Sequence, residues 1–409
     1  MEMDPKTRER AFRFLLVAVS LTALATGLSE STFGNFYKEV YKVTPAQRGF
    51  IEFPRELPGL IAVIVISMMS FLGEIRLAIA AQLLSIIGLV LLGVFTPPFT
   101  VMLLFLFVNS MGMHLYMPLK DSIALNIIGN ENTGRKFGIV SGTSTAMAFV
   151  AGLTIFFGFR FGVFSFSRGI IHHFLIATVF FAGVVILLTK IRKMIGDPVI
   201  NTGGGRFLFR RQYVLYYLLA SLHGAHKQIS GVFGPWVLID ILLRQTDTMA
   251  VLGMTGSLIG IFFIPLVGRM ADRFGIKRMI YAEGFSFLAV YVLYGVVSSG
   301  LNSGSLAKTG IPVLIVYLLF IIDRMTMQLG MMRTLYLRSI ALDKSEIAPT
   351  LSTGMSLDHA ISIIISFVGG IAWSVWGPHI VFFIAAALSL GNVLVATRLP
   401  KDVKAAALN

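Results

Sequence analysis

Of the 409 residues, 56% are hydrophobic and only 13% are charged, with a mean hydropathy of +0.82; soluble domains carry about 25% charged residues, so a water-soluble enzyme or binding module is excluded. Cysteine is absent, which excludes a disulfide, a thiolate nucleophile and an iron–sulfur centre. The formal net charge of +14 is read as the basic cytoplasmic face of a membrane protein rather than as a nucleic-acid footprint, because Lys and Arg collect on that side of a bilayer.

The apolar runs are long enough to cross a bilayer, at about 20 residues each, and do not alternate with polar residues, so helices are expected rather than a barrel. Twelve spans are expected, at 12–37, 49–72, 77–96, 99–126, 137–159, 169–190, 211–240, 249–270, 277–299, 310–335, 350–376 and 378–398. The N-terminus imitates a signal peptide, with Lys6, Arg8, Arg10 and Arg13 ahead of an apolar run that contains Ala23-Leu24-Ala25. That run continues to Phe36, too long for a cleaved leader, so it is read as the first span. Pro97-Pro98 divides the third and fourth spans and Gly377-Pro378 the last two.

The longest connection, 191–210, contains Gly203-Gly204-Gly205 and divides the chain into two halves, 1–190 and 211–409. With the N-terminus in the cytoplasm, the opposite face holds only Lys38, Lys42, Arg48, Arg160, Arg168, Arg244 and Lys308. The positive-inside rule therefore places both termini in the cytoplasm. Short matches recur in the same order in both halves: Phe33-Gly34 with Phe233-Gly234, and Ser122-Ile123-Ala124-Leu125 with Ser339-Ile340-Ala341-Leu342. Gly73 aligns with Gly268 in this reading. Gly138-x-x-x-Gly142 and Gly256-x-x-x-Gly260 are candidate close-packing seams.

Between the eighth and ninth spans lies Gly268-Arg269-Met270-Ala271-Asp272-Arg273-Phe274-Gly275-Ile276-Lys277-Arg278. This segment resembles the signature loop of the major facilitator superfamily, Gly-x-x-x-Asp-Arg-x-Gly followed by two basic residues; here Ile276 takes the first basic slot and the pair arrives one residue late. The resemblance is to a bacterial type of that superfamily. It implies an all-α membrane fold of twelve helices in two pseudo-symmetric six-helix bundles, and a secondary transporter that works by alternating access. It also implies that Gly268, Asp272, Arg273 and Gly275 form a conformational latch, with Asp272 a candidate cap for the following helix.

Charge inside a span is costly and needs a reason. The third and twelfth spans have no interior ionisable residue, whereas the first, fourth, seventh and tenth carry Glu30; His114, Lys120 and Asp121; His223, His226 and Lys227; and Asp323, Arg324 and Arg333. In the superfamily these four helices line the central cavity, and the distribution of charge gives the same partition. Asn109, Met113, Tyr116 and Lys120 share a stripe of the fourth span, and His223, His226 and Lys227 one of the seventh.

The candidate substrate ligands are Lys227, His223, His226, Arg324, Asn109, Tyr116 and Lys120. Lys227 has two readings, a ligand for a substrate anion or an ion pair with Glu30 or Asp323. Those two carboxylates are the candidate proton carriers, against a permanent salt bridge. Glu52, Arg55 and Glu56 open the second span and are assigned to an outer gate, with Glu52 and Glu56 sharing a partner; Arg333 is assigned to the inner gate. His223-x-x-His226 has metal-ligand spacing but no carboxylate on its face, so no metal is expected. His172-His173 are read as interfacial. No Gly-x-x-x-x-Gly-Lys-Ser/Thr loop is present to use ATP, and no cofactor is expected.

The surplus of basic groups favours a small organic anion moved with protons by a monomer in the cell membrane. Drug/proton antiport is the alternative, and the absence of proline from Gly138 to Gly158 counts against it. A transport-inactive sensor or lipid-handling protein of the same fold is the third.

Overall fold

The computed structural model describes residues 4–129, 133–167, 169–198 and 208–400. The Gly203–Gly205 run, Arg168 and the C-terminal Lys401 and Lys404 lie outside the described residues. The chain is helical: α1 (Pro5–Glu30), α2 (Phe33–Tyr41), α3 (Pro45–Met68), α4 (Glu74–Val94), α5 (Phe99–Ile128), α6 (Thr133–Arg160), α7 (His172–Ile195), α8 (Val214–Gln228), α9 (Gly234–Trp236), α10 (Thr246–Phe274), α11 (Ile276–Ser303), α12 (Ile311–Gln328), α13 (Met331–Ile340), α14 (Lys344–Trp376) and α15 (Pro378–Arg398). Among the described residues, ten helices are long and apolar enough to cross a membrane, and the protein is a multi-pass membrane protein. Two expected spans are not among the ten. Helix α3 carries Glu52, Arg55 and Glu56, and the stretch from α8 to Ile241 is not one α-helix: two wider π turns, Ile229–Phe233 and Val237–Ile241, flank α9.

The residues fall into two compact units. The first holds 1–41, 57–203 and 246–254. Its core is built from Ala11, Leu15 and Val19 of α1, Leu77 and Ala81 of α4, Leu119 and Ile123 of α5, and Leu188 of α7. Helices α4 and α5 close on each other because a Cβ at Gly88 would stand 2.7 Å from Asn109 Cβ, and one at Gly112 would stand 2.5 Å from Ser85 N. His173 is fully buried in a cage of Phe159, Phe164, Phe166 and Phe174, and meets Thr32 Oγ1 at 3.2 Å. It is not interfacial as expected; only His172 is exposed.

The second unit holds 42–56, 204–245 and 255–409. Its core joins Tyr213, Tyr216 and Leu219 to Ile276 and Ile280 of α11, Met332 and Leu337 of α13, and Ala396 of α15. Gly49 of α3 faces the Ser366 carbonyl of α14, and a Cβ on Gly370 would stand 3.1 Å from Gly49 Cα. Bare backbone thus makes this crossing. The expected Gly-x-x-x-Gly seams are not used this way: no atom lies within 4 Å of a Cβ at Gly138, Gly142 or Gly260, and Gly256 meets only Arg324 Cδ at 3.8 Å.

Of the four spans expected to carry interior charge, the first, seventh and tenth are interrupted and the fourth, α5, is continuous. Ser31 and Thr32 break the first span between α1 and α2, and their hydroxyls bond back to Gly27 O (2.5 Å) and Ser29 O (2.8 Å), so freed carbonyls stay satisfied away from water. Leu329 and Gly330 separate α12 from α13, and Pro118 lies inside α5.

The signature segment is mostly helix. Helix α10 runs through Asp272 and Arg273 to Phe274, and the only break before α11 is Gly275, with φ 83° and ψ 156°. That positive φ is strained for any residue with a Cβ. Asp272 does not cap α11, whose N-cap is Gly275 with no side-chain bond. Lys277 Nζ instead donates to the Thr397 and Leu399 carbonyls at 3.2 and 2.6 Å, satisfying the end of α15. Arg273 lies over Phe274, and nothing crowds Gly268. Gly73 takes φ 82° and ψ 160° at the start of α4. Its counterpart is therefore Gly275, not Gly268 as the alignment of the halves implies.

Asp197 caps α4 from outside: Ile75 N donates to its Oδ1 at 2.8 Å, and Arg76 pairs with it at 3.2 Å. Asp197→Ala is expected to lower the thermal unfolding midpoint in detergent by an amount that reflects about 1 kcal/mol, the usual worth of such a cap, with Asp197→Asn retaining most of it. An unchanged midpoint in the alanine variant would show that the cap does not contribute.

Candidate functional site

Near the C-terminal end of α8, the Lys227 ammonium is held between two carboxylates. Its Nζ donates to Glu56 Oε2 and to Asp358 Oδ1, each at 2.8 Å. Each carboxylate also meets one imidazole, His223 Nδ1 with Asp358 Oδ2 at 2.8 Å and His359 Nδ1 with Glu56 Oε2 at 2.6 Å. Gln228 Nε2 donates to Glu56 Oε1 at 2.9 Å, and an Arg333 nitrogen stands 3.7 Å from Asp358 Oδ2. All seven residues belong to the second unit and come from α3, α8, α13 and α14. Two cations face two anions, and each anion has a histidine beside it.

The local sequence explains the convergence. Residues 223 and 227 are one helical turn apart and share a face of α8, while neighbours 358 and 359 on α14 point about 100° apart and so serve different carboxylates. Gly224 lets α8 lie on α14: a Cβ there would stand 2.9 Å from Asp358 C, and Ser362 Oγ donates to Gly224 O at 3.1 Å. Gly330, at the break between α12 and α13, leaves room for His223, whose Nε2 would lie 3.0 Å from an added Cβ. Gly224→Val is expected to push α14 off α8 at a cost of about 1–3 kcal/mol, read as a lower thermal midpoint, whereas Gly231→Ala, where nothing lies within 4 Å, is expected to leave it in place. Equal midpoints for the two variants would refute the close-approach argument.

The pairings differ from those expected. Lys227 pairs with Glu56 and Asp358, not with Glu30 or Asp323. Glu52 and Glu56 do not share a partner: Glu52 Oε1 takes Arg48 at 2.5 Å and Arg55 at 2.8 Å, and Arg48 lies over the Trp236 ring at 5.9 Å. A carboxylate does reach the His223 face, that of Asp358, although among the described residues no cluster has a metal-ligand set. His226 turns away from His223 and Lys227, fully buried and stacked on Phe287 with ring centroids 4.3 Å apart.

Arg324 is exposed and lies over Phe320, and Asp323 is buried beside Ser230 and Tyr291. In the first unit, Glu30 ends α1 at its break, Asn109 Nδ2 donates to Ser85 O at 3.1 Å, Tyr116 is buried near Thr22, and Lys120 pairs with its neighbour Asp121 at 3.3 Å. Asp358 and Gln228 are not among the residues that the sequence singles out. The signal for Asp358 is that it is the one acidic residue in 350–376.

No protein-family model matches the chain, and no curated protein matches it in sequence. Solved structures do match in fold. A nucleoside transporter NupG structure aligns over 95% of this chain and 98% of its own at 13% identity, TM-score 0.71. A POT family transporter in complex with 5-aminolevulinic acid aligns over 96% of each chain at 13% identity, TM-score 0.74. A D-xylose-proton symporter aligns over 95% and 97% at 12% identity, TM-score 0.70.

Proposed function

From a chain that has the major facilitator fold, we propose a secondary transporter of a small organic anion, driven by protons and working by alternating access between two six-span bundles, 1–190 and 211–409. The observation that carries this reading is Lys227 held at 2.8 Å by both Glu56 and Asp358. An anion and those carboxylates compete for the same cation. Protonating either carboxyl weakens its hold on Lys227 and Arg333, and a substrate carboxylate or phosphate can then take its place. His223 and His359 are placed to hand protons to Asp358 and Glu56. Glu30 and Asp323 are further proton carriers, Arg324, Asn109, Tyr116, Lys120 and His226 the wider substrate surroundings, and Arg48, Glu52 and Arg55 an outer gate. The latch of Asp272 and Arg273 and both termini lie on the cytoplasmic side of the cell membrane in this reading, and the working unit is a monomer without a cofactor.

The test is a thermal-shift screen of purified protein against organic anions, cationic drugs and lipids at mildly acidic and mildly alkaline pH, since a ligand of the folded state raises its stability with log concentration. The expected result is an anion that stabilises the protein more strongly at acidic pH, loses its effect in Lys227→Ala, and is taken up by proteoliposomes down a proton gradient. Hits confined to cationic or neutral lipophiles, unchanged in Lys227→Ala, would overturn the reading in favour of drug efflux. Binding without flux would favour the transport-inactive alternative.

A further inference from the structure

One face of α11 carries Glu283, Phe287, Tyr291 and Tyr294, spaced so that their side chains stack along a single line. Glu283 is 1% exposed and the other three are 0%. On this line Glu283 Oε2, Tyr291 OH and Tyr294 OH make no bond of good hydrogen-bond geometry among the described residues, with Tyr291 reaching the Asp323 carboxyl and Glu283 reaching Asn392 only loosely. Nor do atoms on three other elements, Asp323 Oδ1 of α12, both ring nitrogens of His226 on α8, and Asn392 Oδ1 of α15. They are neighbours in order. Asp323 Oδ2 and the Tyr294 hydroxyl converge on the bare face of Gly234, where an added Cβ would stand 3.7 and 3.6 Å from them. The Tyr291 hydroxyl faces the Asp323 carboxyl. His226 stacks on Phe287 and Tyr291, and Asn392 adjoins both His226 and Glu283.

A single orphaned buried polar atom is costly, and a connected series of them is the pattern that ordered internal water satisfies. We propose that this face of α11 lines a file of internal water that carries protons between Asp323 and Glu283, alongside the Lys227 cluster. The proposal rests on the reading of Asp323 as a proton carrier. A proton arriving at Glu283 is relayed as one O–H bond breaks and the next forms along the water. The net result is a Glu283 carboxylate and an Asp323 carboxylic acid, with nothing else consumed. The other groups that face the ends are Arg324 and Ser230 at Asp323, Arg333 at Glu283 and His223 at His226. Arg333 also faces Asp358, so the cytoplasmic end of the file meets the charged cluster.

Radiolytic hydroxyl footprinting in nanodiscs reads the water without substrate. Tyr291 and Tyr294 are expected to be oxidised several-fold faster than Tyr213, which is equally buried but bonded to Glu346 at 2.6 Å. Gly234→Ala adds a methyl with only ordinary contacts, the nearest at 3.4 Å, and is expected to fold and to protect Tyr294. The proton step is read as uptake by purified protein after a jump to acidic pH, followed with a pH dye. The component lost in Asp323→Asn is expected to slow several-fold in Glu283→Gln and in Tyr291→Phe. Tyr291 as protected as Tyr213, or an Asp323-dependent component unaffected by Glu283→Gln, would overturn the file. If Asp323→Asn removes no uptake, the proton-carrier reading beneath it falls.

Discussion

Lys227→Met is expected to lose about 3 kcal/mol of stability, the lower end of the 3–5 kcal/mol that accompanies removal of one partner from a buried ion pair. The lower end applies because the Lys227 side chain keeps 28% of its exposure. The methionine has nearly the length of the lysine but leaves Glu56 and Asp358 facing each other across an apolar sulfur. Thermal unfolding in detergent measures the loss. The triple variant with Glu56→Gln and Asp358→Asn is expected to recover part of it, because the two carboxylates no longer face each other as charges and Arg333 alone has lost its partner. If the single variant unfolds at the wild-type temperature, or the triple variant is no better than the single one, the cluster is not held together by charge.

Glu52→Ala is expected to cost about 3–5 kcal/mol by the same argument. The Glu52 and Arg48 side chains are 3% and 5% exposed, so water cannot replace the carboxylate that Arg48 and Arg55 share. Glu52→Gln retains hydrogen-bond acceptance and is expected to fall between wild type and alanine. The exposed Glu9–Arg13 pair, at 64% and 73%, is the control: Glu9→Ala is expected to leave the midpoint unchanged, because solvent-exposed pairs contribute little. Equal effects from Glu52→Ala and Glu9→Ala would refute the distinction.

Much of this protein is legible in its sequence because the bilayer imposes length and composition directly. Most of the apolar runs are helices close to their expected bounds, and three of the four spans singled out for their charge are interrupted. Partners are harder to read. Lys227 and Glu56 lie 171 residues apart and Lys227 and Asp358 lie 131 apart, and helical periodicity gives a side chain's face but not the helix opposite. Lys227 is therefore recognisable as a buried cation, while both anions expected for it are the wrong ones. His226 shows the same limit from the other side: its position on α8 is close in angle to that of His223, yet α11 claims it by stacking. The glycine motifs mislead because Gly-x-x-x-Gly marks where backbones can approach, whereas Gly49, Gly224 and Gly370 show where they do. Two glycines bracket Asp272 and suggest a loop, but only Gly275 takes a conformation that breaks a helix.

The π turns at Ile229–Phe233 and Val237–Ile241 carry a consequence for how this chain tolerates changes in length. Each accommodates one more residue than an α-turn would, so each is a built-in insertion. Deleting Gly231, which is exposed and crowded by nothing, would convert the first into ordinary helix without breaking it. The flanking helical segments would keep nearly their present facing, because the π turn already absorbs the extra residue, and Lys227 would hold its direction relative to Trp236. A one-residue deletion here is thus absorbed, whereas the same deletion inside α8 would turn the charged centre against the rest of its own helix by about 100°; the chain can change length at this point without changing which way Lys227 faces.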